Sequence, residues 1–231
     1  MIDKKSVALL FAKHVANHKS DSLPFKQGAS YEDIINMGLP WLELAIKIPV
    51  DIILKEIEQI ETYFVDHRTD YNNNQGWKSF CIHGKSFDTT QEVNDDRPYI
   101  WTSEAEQYMP NTVTFFKTLW PGVTYRRLRV MKLEPGASIE VHKDRGIKGL
   151  AEINIAITQP NGCNFYMENH GIVPFKIGQA YMLDISNRHC VINNSNEIRY
   201  HIIVHHEIIN DNFKQVIRES YNKLYDENST Y

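Results

Sequence analysis

Four residues in the second half of the chain have the types and the order needed to hold a metal ion and an organic acid. They are His142, Asp144, His189 and Arg199. Two neutral imidazoles and one carboxylate form the facial triad of non-haem Fe(II) sites, which leaves half of an octahedral coordination shell open. A guanidinium can hold a distal carboxylate through two parallel hydrogen bonds. The pattern therefore predicts Fe(II) at the first three residues, with 2-oxoglutarate and O2 as co-substrates and Arg199 as the clamp for 2-oxoglutarate.

The His142-x-Asp144 spacing is weak evidence when it is taken alone. The His and Asp content of this chain gives about 0.6 such pairs by chance. Alternation along the segment predicts His142 and Asp144 on one face of a strand, with Ile139 and Val141 on the other. What makes the pattern specific is the second half, in which His189 is followed ten residues later by an arginine.

The elements that must position these residues are short strands flanked by helices. Helical hydrophobic spacing covers the first seventy residues and returns beyond Asn210. We expect a helical arm over residues 1–76 packed on the core, a β-rich catalytic core over 77–209 and a terminal helix over 210–231. Their spacing is typical of a β-sandwich or barrel. The predicted strands are Phe80–Ile82, Tyr125–Leu133, Ser138–His142, Glu152–Thr158, Gly162–Met167, Ala180–Ile185 and Ile198–His206.

Composition excludes several classes of function. A net charge of −4 and 42% hydrophobic residues are ordinary for a globular protein, and no basic field indicates nucleic acid as a partner. No apolar run approaches the roughly 20 residues that a membrane span needs. The first apolar segment is too short for a signal peptide. Three cysteines without a Cys-x-x-Cys pair predict reduced thiols, so we expect a cytoplasmic protein.

The segment from about Tyr99 to His206 resembles the aspartyl/asparaginyl β-hydroxylase family of Fe(II)/2-oxoglutarate-dependent dioxygenases, which includes bacterial cis-proline hydroxylases. The resemblance implies a mainly β fold with flanking helices around a double-stranded β-helix (jelly-roll, cupin-like) core. It also implies hydroxylation of an unactivated C–H bond in an amino acid, or in an Asp, Asn or Pro residue of a peptide. It rests, in order, on Tyr125-Arg126-Arg127-Leu128-Arg129, Pro135-Gly136, His142-x-Asp144, Glu152-Ile153-Asn154-Ile155, Gly162-Cys163, Gly178, Leu183-Asp184, His189, Asn193 and Arg199.

Further site residues are indicated by the family pattern in one case and by strand alternation in another. Animal members resemble this chain but have glycine where Asp144 stands, whereas the bacterial proline hydroxylases keep the carboxylate. A family histidine that helps to bind the co-substrate aligns with Asn154, an uncharged residue that still forms hydrogen bonds. Arg127 and Arg129 share a strand face and form a candidate pocket for a substrate carboxylate, with solvated or ion-paired arginines as the equal alternative.

Other interpretations of the same residues remain open. His142 and Asp144 form a simple salt-bridged pair in one of them, and Arg199 pairs with Glu197 or Asp184 in another. A competing function is a cupin-like metal protein, an isomerase or a small-molecule binding module, that does not use 2-oxoglutarate.

The remaining histidines and two loops complete the expectations. His201 and His205 share strand parity with Arg199 and are candidates for lining the same cavity. We expect five others to be solvated, and we assign no chemical role to these five or to His206: His14, His18, His67, His83 and His170. The loops 91–97 and 145–149 are expected to shape the mouth of the site, and so to decide between a free amino acid and a protein residue as substrate.

Overall fold

The computed structural model describes residues 4–16, 25–68, 76–88, 96–144 and 148–229. In these residues two antiparallel sheets face each other, and helices cover their outer sides. The helices are α1 (Lys4–Ala16), α2 (Tyr31–Asn36), α3 (Val50–Gln59), α4 (Ser103–Tyr108), α5 (Pro110–Thr118) and α6 (Asp211–Ser229), with a 3-10 turn at Glu61–Tyr63. The strands are β1 (Trp41–Leu44), β2 (Val65–Asp66), β3 (Trp77–Gly84), β4 (Ile100–Trp101), β5 (Tyr125–Leu133), β6 (Ser138–His142), β7 (Glu152–Ala156), β8 (Cys163–Met167), β9 (Gly171–Ile172), β10 (Ala180–Leu183), β11 (His189–Asn193) and β12 (Arg199–His206).

The strand order identifies the architecture. The major sheet runs β1-β10-β7-β12-β5-β3-β2, with β4 also paired to β3, and the minor sheet runs β6-β11-β8-β9. From β5 onward the chain alternates between the two sheets, apart from the β8–β9 hairpin within the minor sheet, and this is the winding of a double-stranded β-helix. The jelly-roll core implied by the sequence resemblance is therefore confirmed.

Three apolar layers hold the fold together. The layer between the two sheets includes Leu133, Phe165 and Val191. The outer face of the major sheet packs against α2 to α6 in the largest layer, and a small layer seats α1 on the minor sheet. Because side chains alternate across a strand, each strand of the major sheet has one face toward the interior and one toward the helices.

A buried carboxylate of α3 fixes the start of α5. Glu56 is 5% exposed and accepts hydrogen bonds from the backbone N–H groups of Asn111 (2.8 Å) and Thr112 (2.9 Å). It also accepts from the Asn111 amide (2.9 Å) and the Thr112 hydroxyl (2.6 Å). The first N–H groups of a helix have no partner within the helix and favour a negative charge. Glu56 therefore caps α5 from a neighbouring element.

The structure differs from the sequence prediction in several elements. The arm expected to be helical contributes β1 to the edge of the major sheet, where Trp41 pairs with Leu183, and also contributes β2. Helices α4 and α5 lie within the segment expected to be purely β-rich. Strand β11 was not predicted. The boundaries of the three predicted segments remain a prediction, and residues 1–3, 17–24, 69–75, 89–95, 145–147, 230 and 231 lie outside the described residues.

None of the described helices combines the length and the apolar character needed to cross a membrane.

Candidate metal centre

Two neighbouring strands of the minor sheet bring the predicted ligands together. His142 ends β6, His189 begins β11, and the two residues are directly paired across the sheet. Asp144 follows β6 and donates its backbone N–H to the carbonyl of Ile185. Its Oδ2 lies 3.6 Å from His142 Nε2 and 3.5 Å from His189 Nε2. All three ligand atoms lie within 4.8 Å of one another, so one ion can contact them together.

A β-bulge aims His142 into the interior, which corrects the predicted strand faces. In the β6–β11 ladder His189 pairs with His142, but Val191 pairs with Ile139, so β6 holds one extra residue. As a result Ile139 packs in the layer between the sheets while Val141 packs under α1. The simple alternation that placed these two residues on one face is wrong. Bulges are common beside active sites because they redirect a side chain in this way.

Hydrogen bonds set the protonation of both imidazoles. His142 Nδ1 lies 2.7 Å from the Glu140 carbonyl, and His189 Nδ1 lies 2.9 Å from the Asn187 carbonyl. Since a carbonyl only accepts, each Nδ1 carries the proton and each Nε2 turns a lone pair toward Asp144. The Phe165 ring stacks on His189 at 5.0 Å between centroids and fixes the ring plane. Both imidazoles are thus held in the form that binds a metal.

The charges within the triad fit a cation between its members. Burial tends to raise the pKa of Asp144, but the interaction of the carboxylate with the adjacent His142 and His189 rings outweighs burial and holds the pKa well below its ordinary value. Burial also opposes protonation of His142, yet contact with Asp144 raises the pKa of that ring. Asp144 therefore stays ionised, and two nitrogens and one oxygen are the donor set of non-haem Fe(II) sites. On these observations the residues fit Fe(II).

Arg199 is a buried cation on the opposite sheet. It is 4% exposed, and burial lowers the pKa of its guanidinium to about 10, which leaves it charged at neutral pH. Its Nη2 donates to His201 Nδ1 at 2.8 Å, and its Cζ lies 5.8 Å from the centre of the Phe175 ring. Within the described part of the chain no carboxylate lies within 4.0 Å of this guanidinium, so pairing with Glu197 or Asp184 is not observed. A buried charge without an anion is costly, which makes the site suited to an anionic ligand.

The other predicted site residues lie on the same inner face of the major sheet, toward its opposite end. Arg127 pairs with His205, whereas Arg199 pairs with Leu133, so about 20 Å of strand separates the two arginines. Arg129 is buried and donates to Ser79 Oγ at 3.5 Å. Asn154 lies between this end and Arg199, in register with Tyr181 and Ile203; its predicted role stays a prediction.

Two histidines left open by the sequence line this interior. His201 contacts Arg199, as described above. His205 Nδ1 lies 3.0 Å from Glu152 Oε2. Burial, followed by the charge of Arg127, lowers the pKa of His205 to about 3, so the neutral ring donates to the carboxylate. The Asp144 charge acts on His205 in the opposite direction and tends to raise the pKa of that ring.

One inner-face histidine was missed by the sequence analysis, which expected it to be solvated. His67 is buried, and its Nδ1 lies 2.9 Å from Ser79 Oγ. Burial and then the charges of Arg129 and Arg127 lower its pKa to about 2, while Asp144 acts in the opposite direction. Strand β2, only two residues long, carries no hydrophobic pattern that would have placed it. His83 was also expected to be solvated, but it packs among aromatic rings. His206, to which no chemical role was assigned, packs among aromatic rings as well.

Comparison with solved structures finds distant relatives of the fold. A Trichoplax adhaerens prolyl hydroxylase, in complex with a peptide fragment of the hypoxia-inducible factor oxygen degradation domain, is 13% identical with a TM-score of 0.48, over 89% of this chain and 95% of that one. A Pseudomonas putida prolyl-4-hydroxylase is 12% identical with a TM-score of 0.44, over 77% and 97% of the two chains. Sequence identities and TM-scores this low give no information about the substrate of this protein. No curated protein sequence matches the chain.

The family comparison is decisive. The profile of the family described as aspartyl/asparaginyl beta-hydroxylase matches residues 46–208, well over half of the chain, and the match contains every predicted ligand. It favours the dioxygenase interpretation over the cupin-like alternative. With its triad and its interior arginine, this chain belongs to the aspartyl/asparaginyl β-hydroxylase family and is an Fe(II)- and 2-oxoglutarate-dependent hydroxylase.

Proposed function

We propose that this enzyme hydroxylates an unactivated C–H bond of an amino acid, or of an Asp, Asn or Pro residue in a peptide, with His142, Asp144 and His189 as metal ligands and Arg199 as the clamp for 2-oxoglutarate. The observation that carries the proposal is the buried Arg199 guanidinium. It faces the interior that the triad also faces, and within the described residues its polar contact is a neutral imidazole rather than an anion.

Each part of the site has a separate task. When bound, Fe(II) with 2-oxoglutarate and O2 supplies the oxidising chemistry that inserts an oxygen atom into a C–H bond. Arg199 binds the distal carboxylate of 2-oxoglutarate, and Phe175 covers the guanidinium. Phe165 and Phe175, whose ring centres are 6.0 Å apart, exclude water between the clamp and His189.

The substrate is proposed to bind at the other end of the inner face. Arg127 and Arg129 present positive charge there, beside Glu152 and His205. A substrate carboxylate would bind the arginines, and a positively charged or hydrogen-bonding group would bind Glu152. The loops 91–97 and 145–149, expected to shape this mouth, lie largely outside the described residues.

Turnover of 2-oxoglutarate tests the proposal directly. We expect succinate formation by the Fe(II)-loaded protein, and loss of at least about 100-fold in Asp144→Ala and Arg199→Leu. Arg126→Leu is the matched control, because Arg126 is exposed on the other face of β5. Unchanged turnover in Asp144→Ala or Arg199→Leu would refute the proposed roles.

The substrate class needs a second experiment. Candidate amino acids and Asp-, Asn- or Pro-containing peptides are incubated with enzyme and co-substrates, and products are screened by mass spectrometry for a gain of one oxygen atom. Arg127→Gln is expected to raise KM for the hydroxylated substrate while the affinity for 2-oxoglutarate is retained. An equal effect of Arg126→Gln, or no effect of Arg127→Gln, would contradict the proposed carboxylate pocket.

A further inference from the structure

We propose that His201, supported by Gln159, is a positioning residue that orients the Arg199 guanidinium toward the distal carboxylate of 2-oxoglutarate. The inference rests on the proposed role of Arg199 and adds the reason why that side chain adopts one orientation. It requires no contact between His201 and the co-substrate.

A directional chain of hydrogen bonds carries the inference. Arg199 Nη2 donates to His201 Nδ1 at 2.8 Å, because a guanidinium has donors only. His201 Nε2 must then carry the ring proton, and it donates to Gln159 Oε1, 3.0 Å away. The Gln159 amide nitrogen in turn donates to the Cys163 carbonyl. The guanidinium at one end can only donate and the Cys163 carbonyl at the other can only accept, so the direction of the chain is fixed. The Thr158 backbone also interacts with the His201 ring.

The surroundings keep His201 neutral. The ring is fully buried between the two sheets. Burial, followed by the charge of Arg199, lowers the pKa of His201 well below its ordinary value. A protonated ring would place a second positive charge against the guanidinium and would lose the acceptor at Nδ1. His201 is therefore neutral near pH 7, and its Nδ1 accepts the hydrogen bond from Arg199.

Packing restricts the same pair. Phe175 meets His201 edge to face at 4.7 Å between ring centres and also lies beneath the guanidinium. With one Nη group tied to His201 and one face on an aromatic ring, Arg199 has its remaining donors in a fixed direction. A preorganised guanidinium loses less conformational entropy when it binds a carboxylate in two-point fashion. The contacts of Arg199 with His201 and Phe175 are therefore expected to raise the affinity for a 2-oxo acid that carries a distal carboxylate, and not for one that lacks it.

The test compares two 2-oxo acids of equal chain length by calorimetric titration into the Mn(II)-loaded protein. One is 2-oxoglutarate and the other is 2-oxovalerate, which lacks the distal carboxylate. We expect His201→Leu to weaken 2-oxoglutarate about 10-fold or more and to leave 2-oxovalerate unchanged. His201→Asn, whose Oδ1 can replace Nδ1 as acceptor, should retain most of the affinity. Met131→Leu, opposite His201 on β5, is the control in the same layer and should bind both acids normally.

The outcomes separate this inference from the proposed function. Wild-type affinity for 2-oxoglutarate in His201→Leu, or an equal loss for both acids, overturns the positioning role. If Arg199→Leu weakens 2-oxoglutarate while His201→Leu does not, only this inference fails; if Arg199→Leu has no effect, both fail. Should His201→Leu not fold, Gln159→Leu is used instead. It is expected to weaken 2-oxoglutarate alone by about threefold, and wild-type binding in that variant overturns the inference.

Discussion

Removal of the Glu56 carboxylate should cost a large part of the stability of the protein, although Glu56 lies outside the site. Its four hydrogen bonds all reach the first turn of α5. Thr112 is fully buried, so its N–H and hydroxyl cannot turn to water when the carboxylate is lost. Each such unsatisfied group costs about 1–3 kcal/mol. The exposed Asn111 amide can be solvated and adds little. We therefore expect Glu56→Ala to lower the free energy of unfolding by about 4 kcal/mol.

Urea denaturation followed by circular dichroism measures this loss, with the slope checked for an unchanged two-state transition. Glu56→Gln keeps the shape but turns an NH2 group toward donors, and we expect a loss of about 2 kcal/mol. Glu58→Ala, an exposed glutamate on the same helix, should stay within about 0.5 kcal/mol of wild type. If Glu56→Ala unfolds within about 1 kcal/mol of wild type, the capping argument is wrong.

Two further predictions concern His206, which packs among aromatic rings. Burial lowers the pKa of His206 from 6.5 to about 4, so the unfolded chain binds more protons than the folded one between these values. His206 therefore contributes stability that is complete above pH 6.5 and is lost on acidification, by up to about 1.4 kcal/mol per pH unit; a urea midpoint that is flat from pH 7 to 5 would contradict this. A methyl group at Gly122 would overlap the His206 ring. We therefore expect Gly122→Ala to lower the free energy of unfolding by about 2 kcal/mol, because the His206 ring must give up its hydrogen bonds to Trp120 and Thr124. Wild-type stability of this variant would show that the backbone around Gly122 can move to accommodate the methyl group.

The sequence predicted strands well where their hydrophobic pattern was long or bounded by clear turns. Strands β5 and β6 have the predicted ends. Strand β11 was missed because all five of its residues are buried, so it shows no alternation, and His189 was interpreted as following β10 instead. Strand β1 was missed because its four residues were absorbed into a helical pattern. Short elements of this kind obtain their structure from the partner strand rather than from local preference.

The sequence predicted which residues form the site, but it did not predict the strand geometry and the contacts that position them. The ligand set followed from residue types and spacing, and the structure brings those atoms together. The bulge in β6 could not be predicted, because alternation alone gives every second residue the same face. Nor could the environment of His67, whose neighbours Arg127, Arg129 and Asp144 come from distant parts of the chain. Residue types and their order along the chain were therefore enough to predict the ligand set, whereas the contacts around the ligands depend on strand register and could not be predicted.

The direct pairing of His142 with His189 across the β6–β11 ladder has a consequence for the unfolded chain. These residues are 47 positions apart, so an ion bound by both closes a long loop in the same manner as a covalent cross-link. The entropic cost of closing that loop grows only with the logarithm of its length. In the folded protein the pairing of β6 with β11 has already closed the loop, so the ion binds there without this cost, whereas the unfolded chain would still have to close it. The stability of the minor sheet therefore depends on the metal concentration, because an ion that binds only the folded form shifts the folding equilibrium toward that form by mass action.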